Sequence, residues 1–424
     1  MNRLLLLCAS HSYRAGAFLS AARELGVAVT VGSDRRQVLS GLVPDGTLTL
    51  DFGQPPRMVG QILEFAERVP IHAVLAADDD GALPAAMAGA ALGLRHAAVE
   101  AVMACRDKFL MRVTLERAGR PGPRVERIPL ASDPQAAAAR VGYPCVLKPV
   151  ALAASRGVIR ANDPAGFVAA FHRIAALLAR PDARGLGPAA DAFLLVESYL
   201  PGGEVAVEGL ITHGRLRVLA IFDKPDPLEG PFFEETIYVT PSRRSEPEQH
   251  AIELETASAA SALGLTEGPV HAELRVHQGR ATVVEIAPRS IGGLCSRALR
   301  FGPGASLEEL ILRHALGLEG AGMEREPGAA GVLMLPIPRA GVLEAVRGQD
   351  QARAVPGIED LRLTIPLGTP VEPLPEGARY LGFLFARGRV PEEVETALRE
   401  AQRRLEVSIV APRSAAAERP META

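Results

Sequence analysis

The chain has 424 residues, enough for roughly three domains with sizeable cores. Its 48% hydrophobic and 23% charged content excludes a disordered chain, and a net charge of −4 gives no electrostatic footprint for nucleic acid. No apolar run approaches the roughly 20 residues of a membrane span, and the 4 cysteines, with no CxxC pair or metal-ligand spacing, read as reduced, buried residues of a cytoplasmic protein. Residues 3–9 are too short for a secretion signal and read as a buried first strand. A polar loop follows at His11-Ser12-Tyr13-Arg14, then a helical pattern over 15–25 closed by Gly26, then a second strand over 27–32. Strand, loop, helix, strand opens a parallel α/β sheet. The loop has no GxGxxG, so no dinucleotide site is read there.

A further buried strand over 73–77 runs into Asp78-Asp79-Asp80, at the start of a helix over 83–92. Helix capping is the commoner role of such acids; contact with a substrate amine is the functional alternative. Residues 100–118 read as a helix carrying Arg106, Asp107, Lys108 and Arg112, and a solvated basic stripe is the ordinary outcome of that spacing. The apolar strand 145–149 ends with Lys148. It leads into a small-residue segment, 150–160, whose backbone N–H groups suit a phosphate. Residues 185–190 read as a loose loop. The strand 193–196 leads into Glu197-Ser198-Tyr199-Leu200, and 205–211 and 216–222 form a hairpin around His213-Gly214. The aromatics of 231–238 make a candidate pocket wall.

Residues 269–296 organise the chain. They read as two strands joined by a three-residue loop, Gln278-Gly279-Arg280, which sets Glu273 opposite Glu285. Like charges so placed destabilise a sheet unless something offsets them. A divalent cation with oxygen ligands would do so; solvated glutamates on an edge hairpin are the plainer alternative. Arg289 follows four residues after Glu285 and suits an anionic substrate. Beyond a Gly- and Ala-rich linker at 317–331 lies an α+β tail, with strands over 331–337, 361–365 and 380–386 and a helix over 391–405. Residues 411–424 read as frayed.

Taken together these pieces resemble the ATP-grasp superfamily, nearest to its carboxylate–amine ligase branch and its amino-acid ligases, with biotin carboxylase a more distant cousin. The resemblance runs from Arg3 to about Ser408. It rests on CRDKFLMR with Lys108, YPCVLKP with Lys148, AASRGV at the lid loop, LLVESYLPGGE at the hinge, the Glu273/Glu285 pair, Arg289, and GPFFEETIYVTPS as a substrate-pocket segment.

The resemblance implies an N-terminal parallel α/β (pre-ATP-grasp) domain over 1–100. It implies an ATP-grasp region over 101–317, with a lid at about 115–200, and a C-terminal α+β domain over 331–410. It implies ATP contacts from Lys108, Lys148 and the lid residues Ser155, Arg156, Gly157 and Val158. Adenine would meet Glu197, Ser198, Tyr199 and Leu200, and ribose Glu204. Glu273 and Glu285 would hold Mg²⁺, with Mn²⁺ an alternative, while Lys148 and Arg289 act on the transferred phosphoryl group. The implied reaction joins a small carboxylate, such as an amino acid, to an amine through an acyl-phosphate, releasing ADP and phosphate. Neither nucleic acid nor membrane is an implied partner; a homodimer is compatible.

Two departures stand out. Ala287 replaces the Asn that the family places two residues after the second metal glutamate, and the lid loop is alanine-rich where glycine is usual. Alanine resists φ > 0, so a stiffer loop is expected. Two other functions compete. A biotin-carboxylase-like carboxylase would prefer Asn at position 287 and need a biotin carrier. A non-catalytic ATP-binding module would tolerate loss of Glu273, Glu285 or Arg289, all of which are present.

Overall fold

The computed structural model describes residues 1–10, 12–36, 45–183, 192–318 and 324–411. His11, the expected loop at 185–190, the centre of the linker and the tail past 411 lie outside the described residues. At the N-terminus the strands Thr47–Thr49, Ala28–Ser33, Arg3–Leu7 and Ala73–Ala76 form a parallel sheet in that order. Leu4 to Leu7 are wholly buried. That explains why an unbroken apolar run, rather than an alternating one, marks this strand: a parallel sheet is covered on both faces.

A second, antiparallel sheet orders Val125–Pro129, Phe193–Ser198, Cys145–Pro149 and Ile159–Ala161, and the helix Pro164–Leu178 packs on it through Phe167, Phe171 and Ile174. The largest sheet has eight strands. From its edge run Arg280–Ala287, Gly268–His277, Gly203–Thr212, Arg215–Asp223 and Ile237–Thr240, followed by Ala329–Leu335, Gly382–Gly388 and Ile358–Leu363. Strands from both sides of the linker therefore share one sheet, because Ile237–Thr240 pairs with Ala329–Leu335. The N-terminal sheet docks on this central sheet in one apolar cluster. Leu4, Leu6 and Phe18 meet Phe222, Met334 and Phe383 there, together with the helix Leu307–Ala315. Truncating a buried Phe or Leu in such a cluster costs about 2–5 kcal/mol. Among the described residues no helix is long and apolar enough to cross a membrane. The architecture is α/β at the N-terminus and α+β beyond it, as expected.

Candidate active site

The three sheets surround a cavity of about 1040 Å³, and every expected site residue except Gly157 lines it. Glu273 and Glu285 do face each other, by a route that differs from the expected one. The turn has two residues, not three: His277 pairs with Arg280 across Gln278 (φ 49) and Gly279 (φ 74). This is the left-handed pair that suits a tight hairpin. A regular ladder from that turn would set Val284 across from Glu273. A β-bulge between Glu273 and Leu274 on one side and Val283 and Glu285 on the other restores the opposition. Both carbonyls at the bulge serve one guanidinium: Arg112 donates to Val283 O at 2.8 Å and to Val284 O at 2.7 Å. Arg112 and Lys108 are thus buried site residues and not a solvated stripe.

The two glutamates are held unequally. Among the described residues Glu285 meets only Lys108, at 3.5 Å. Glu273 takes three donors on its Oε1: Lys224 at 3.0 Å, Tyr238 at 3.4 Å and His271 at 3.4 Å. Glu235 shares a side-chain hydrogen bond with Glu273, and burial together with the Glu273 charge raises the Glu235 pKa to about 7. Burial works against the Glu273 carboxylate, but the charges of Lys224 and His271 outweigh it and hold the pKa well below the usual range.

Lys224 was not singled out from the sequence. It closes the strand Arg215–Asp223 as FDKP, much as Lys148 closes its own strand as VLKP, and that parallel was the available signal. Its ammonium binds Glu204 at 2.6 Å and also Glu235 and Glu273. Oxygens of those three carboxylates lie within 4.8 Å of one another, a grouping that could hold a metal ion; the protein's own cation fills it. Glu204, expected at ribose, has its other oxygen on Arg275 at 2.8 Å, so both oxygens are engaged. His271, across the ladder from Ala287, is no substitute for the missing Asn. It sits 2.5 Å from Glu208, and although burial lowers its pKa, that carboxylate and Glu273 lift it to about 9. An imidazolium offers no lone pair to a metal.

At the hinge end, Glu197 joins two cations. It accepts from Arg112 at 2.7 Å and from Lys148 at 2.8 Å, all three side chains being almost wholly buried. Burial alone would raise the Glu197 pKa; Arg112 and Lys148 instead hold it at about 2. Lys148 moves the other way, down to about 8: burial lowers it, and Arg112 offsets part of what Glu197 restores. One carboxylate between two cations accounts for both directions. Within the hinge, Ser198 and Tyr199 donate their N–H groups to Arg124 O and Pro144 O.

The lid loop reveals a further difference. Ala154 (φ 56) and Ser155 (φ 54) do adopt the left-handed conformation that glycine would take without strain. Gly157 (φ 73) is the one place where a side chain has no room, since a Cβ would come 2.8 Å from Pro149. Its N–H, expected at phosphate, donates to Pro375 O at 2.8 Å. Arg156, expected to offset phosphate charge, is likewise committed to protein. It donates to Glu376 O at 2.7 Å, to Asp182 O at 2.9 Å and to the Asp182 carboxylate at 2.6 Å. With Arg173–Glu376 and Arg180–Glu372, it ties the lid to the segment 372–376 of the tail.

Arg289 pairs with neither metal-site glutamate. It donates to Asp79 at 2.7 Å and to Ser290 O at 2.9 Å. Burial would lower its pKa, but Asp79 raises it, so the guanidinium stays charged. Asp79 therefore anchors an arginine and makes no helix cap, although it opens the helix Asp79–Ala91.

Family models match along the chain: an ATP-grasp N-terminal domain at 19–96, an ATP-grasp domain at 141–298 and an L-amino acid ligase C-terminal domain 2 at 333–410. Among curated proteins, the alanine–anticapsin ligase of Bacillus amyloliquefaciens is 30% identical over 251 residues, 55% of this chain and 52% of that protein. The Bacillus subtilis ligase is 30% identical with the same coverage, so the match spans about half the length of these relatives. Among solved structures, an L-amino acid ligase from Bacillus licheniformis aligns with a TM-score of 0.79 at 24% identity, covering 97% of this chain and 99% of that one. An N5-carboxyaminoimidazole ribonucleotide synthetase from Thermotoga maritima aligns with a TM-score of 0.70 at 17% identity, over 97% and 100%. At these identities the likeness of structures concerns the fold. Three family models in this order, together with the cavity they surround, place the chain in the ATP-grasp superfamily, with a C-terminal part that matches the one of L-amino acid ligases.

Proposed function

We propose that this protein is an ATP-dependent ligase that joins the carboxylate of a small acid, an amino acid by preference, to an amine. One observation carries the reading: Glu273 and Glu285 oppose each other at a bulge in the same cavity that Arg289 lines. A carboxylate oxygen of the acid attacks the γ-phosphorus of ATP and ADP leaves. The amine then attacks the acyl carbon, phosphate leaves, and the amine proton passes to solvent or phosphate.

Such a reaction needs positioning and charge compensation more than a side-chain nucleophile. Lys148, fixed by Glu197, and Lys108, fixed by Leu152 O at 2.8 Å, would face the ATP phosphates. Arg289, aimed by Asp79, would hold the acyl-phosphate. The donor set suits a hard cation: Glu273 and Glu285 would hold Mg²⁺, or Mn²⁺ in its place. When bound, that ion supplies neutralisation of phosphate charge. At the hinge, Leu200 is the residue whose N–H no backbone carbonyl takes among the described residues, which favours it for adenine. The setting we propose is the cytoplasm, where the four buried free cysteines stay reduced.

The test is ADP release across pairs of amino acids, with hydroxylamine replacing the amine. A hydroxamate formed together with ADP supports the acyl-phosphate route. ADP release with bicarbonate but with no amino acid would favour the carboxylase reading, and nucleotide binding without turnover on any acid a binding module.

A further inference from the structure

We propose that Arg106 is a second guanidinium on the transferred phosphoryl group, facing it together with Arg289; this rests on the ligase reading above. The helix Val99–Arg106 ends where Asp107 caps the next one, accepting from Phe109 N and Leu110 N at 2.9 Å each. That tight junction lets both Arg106 and Lys108 reach the cavity, two residues apart. The Nη1 of Arg106 is closed off from solvent and has no hydrogen-bond acceptor among the described residues.

Its neighbours differ. Arg112 has Val283 O, Val284 O and Glu197; Arg289 has Asp79 and Ser290 O; Arg14 has Ala77 O and Ser290. A buried donor without an acceptor is costly to keep, and a turn of the side chain towards the cavity that Arg106 already lines would give it one. The surrounding charge says what that is. Arg106, Lys108 and Arg289 all act on Asp79, lowering its pKa although burial opposes them. Glu285, held by Lys108, and the neighbours of Asp79, Asp78 and Asp80, line the same cavity. Arg289, Arg106 and Lys108 thus converge on one carboxylate, Asp79, and a multiply charged tetrahedral anion fits cations gathered in this way. A planar fork suits its oxygens in a way that an ammonium does not.

The experiment uses the full chain loaded with MgADP and titrates in inorganic phosphate by calorimetry, for wild type, Arg106→Met and Arg106→Lys. Expected is a loss of phosphate affinity of about tenfold or more in Arg106→Met, the scale of one charge-assisted hydrogen bond, with MgADP affinity unchanged within about twofold. Arg106→Lys should fall between, because it keeps the charge and loses the fork. Hydroxamate yield should follow the phosphate series while the KM for ATP stays level. Phosphate affinity retained by Arg106→Met would overturn the proposal, as would equal losses of MgADP and phosphate, or a wild type that takes no phosphate onto MgADP. If Arg106→Met does not fold, Arg106→Lys is read alone by the same criterion. A wild type that binds phosphate through Arg106 but makes no hydroxamate from any amino acid would refute the ligase reading and leave Arg106 as an anion site.

Discussion

Two charge clusters in one cavity are built on opposite plans. At the hinge end, Glu197 satisfies Arg112 and Lys148 in a dry junction. At the far end Asp79 pairs with Arg289, while among the described residues Arg106 keeps a donor without an acceptor. A buried charge is tolerated where it is paired, and breaking a pair costs more than forming it returns. The first cluster thus behaves as scaffold that holds Lys148 in one place. The second keeps an unpaired guanidinium donor and so has affinity left for a ligand. The same contrast separates Glu273, pinned by three donors, from Glu285, met among the described residues by Lys108 alone.

Substitutions can break or sharpen this contrast. The largest effect is expected from Glu285→Gln. Turnover should drop by about 10³-fold, as when a transition-state electrostatic contact is lost. Thermal unfolding should hardly move, because that carboxylate supports little of the fold. Wild-type turnover in a folded variant would remove it from the metal site.

Glu197→Gln should act the other way round. It leaves two buried cations without a counter-charge, so denaturant unfolding should report a loss of about 3 kcal/mol. A stable Glu197→Gln protein would mean the hinge cluster is no scaffold. Arg289→Lys should lower hydroxamate yield about 100-fold while ATP still binds, since it keeps charge without the fork. A drop in stability larger than the drop in yield would make Arg289 a mere partner for Asp79.

Acid and base address the hinge cluster separately. The Glu197 pKa is depressed from 4.5 to about 2, so its contribution is complete above 4.5 and is lost as pH falls towards 2. The Lys148 pKa is depressed from 10.5 to about 8, so its ammonium fraction falls as pH rises through 8. ATP affinity should then decline above that point, by at most about tenfold per pH unit. A flat affinity from pH 7 to 10 would separate Lys148 from the phosphates. The smallest effect belongs to the lid. Arg173 is 45% exposed in its side chain, so Arg173→Ala should change stability by only about 0.5 kcal/mol. Hydrogen exchange across 151–158 should slow with ATP and Mg²⁺, and this response should survive the change. Exchange that ignores nucleotide would deny the loop a lid role.

Much of this was legible in the sequence wherever periodicity or punctuation carries the information. The parallel N-terminal sheet follows from unbroken apolar runs; the Glu273/Glu285 opposition was read through a three-residue loop and is reached instead by a two-residue turn and a bulge, which no local pattern announces. Contacts between distant segments were not legible. Asp79 looked like a cap because its partner Arg289 lies 210 residues away. By spacing alone Lys108 and Arg112 looked solvated, because i, i+4 spacing states which side chains share a face and not what covers it; only the resemblance put Lys108 at phosphate. Arg156 looked like a phosphate ligand because nothing local announces Asp182 or the carbonyl of Glu376. The Ala-rich lid was expected to resist left-handed backbone, yet Ala154 and Ser155 adopt it, held between anchors at Lys108 and Pro375.

The bulge at Val284 has a consequence of its own. The two-residue turn leaves this hairpin with one residue more than a flush ladder can use. Stored in the turn, as a three-residue loop would store it, that surplus would face water and do nothing. Stored beside Glu285, it turns two successive carbonyls to one side, and Arg112 reads both of them. Deleting Val284 would keep the two glutamates face to face and remove one of the carbonyls that anchors the arginine. The extra residue is thus a spacer whose address matters: it couples the alignment of the carboxylate pair to the same guanidinium that steadies the hinge.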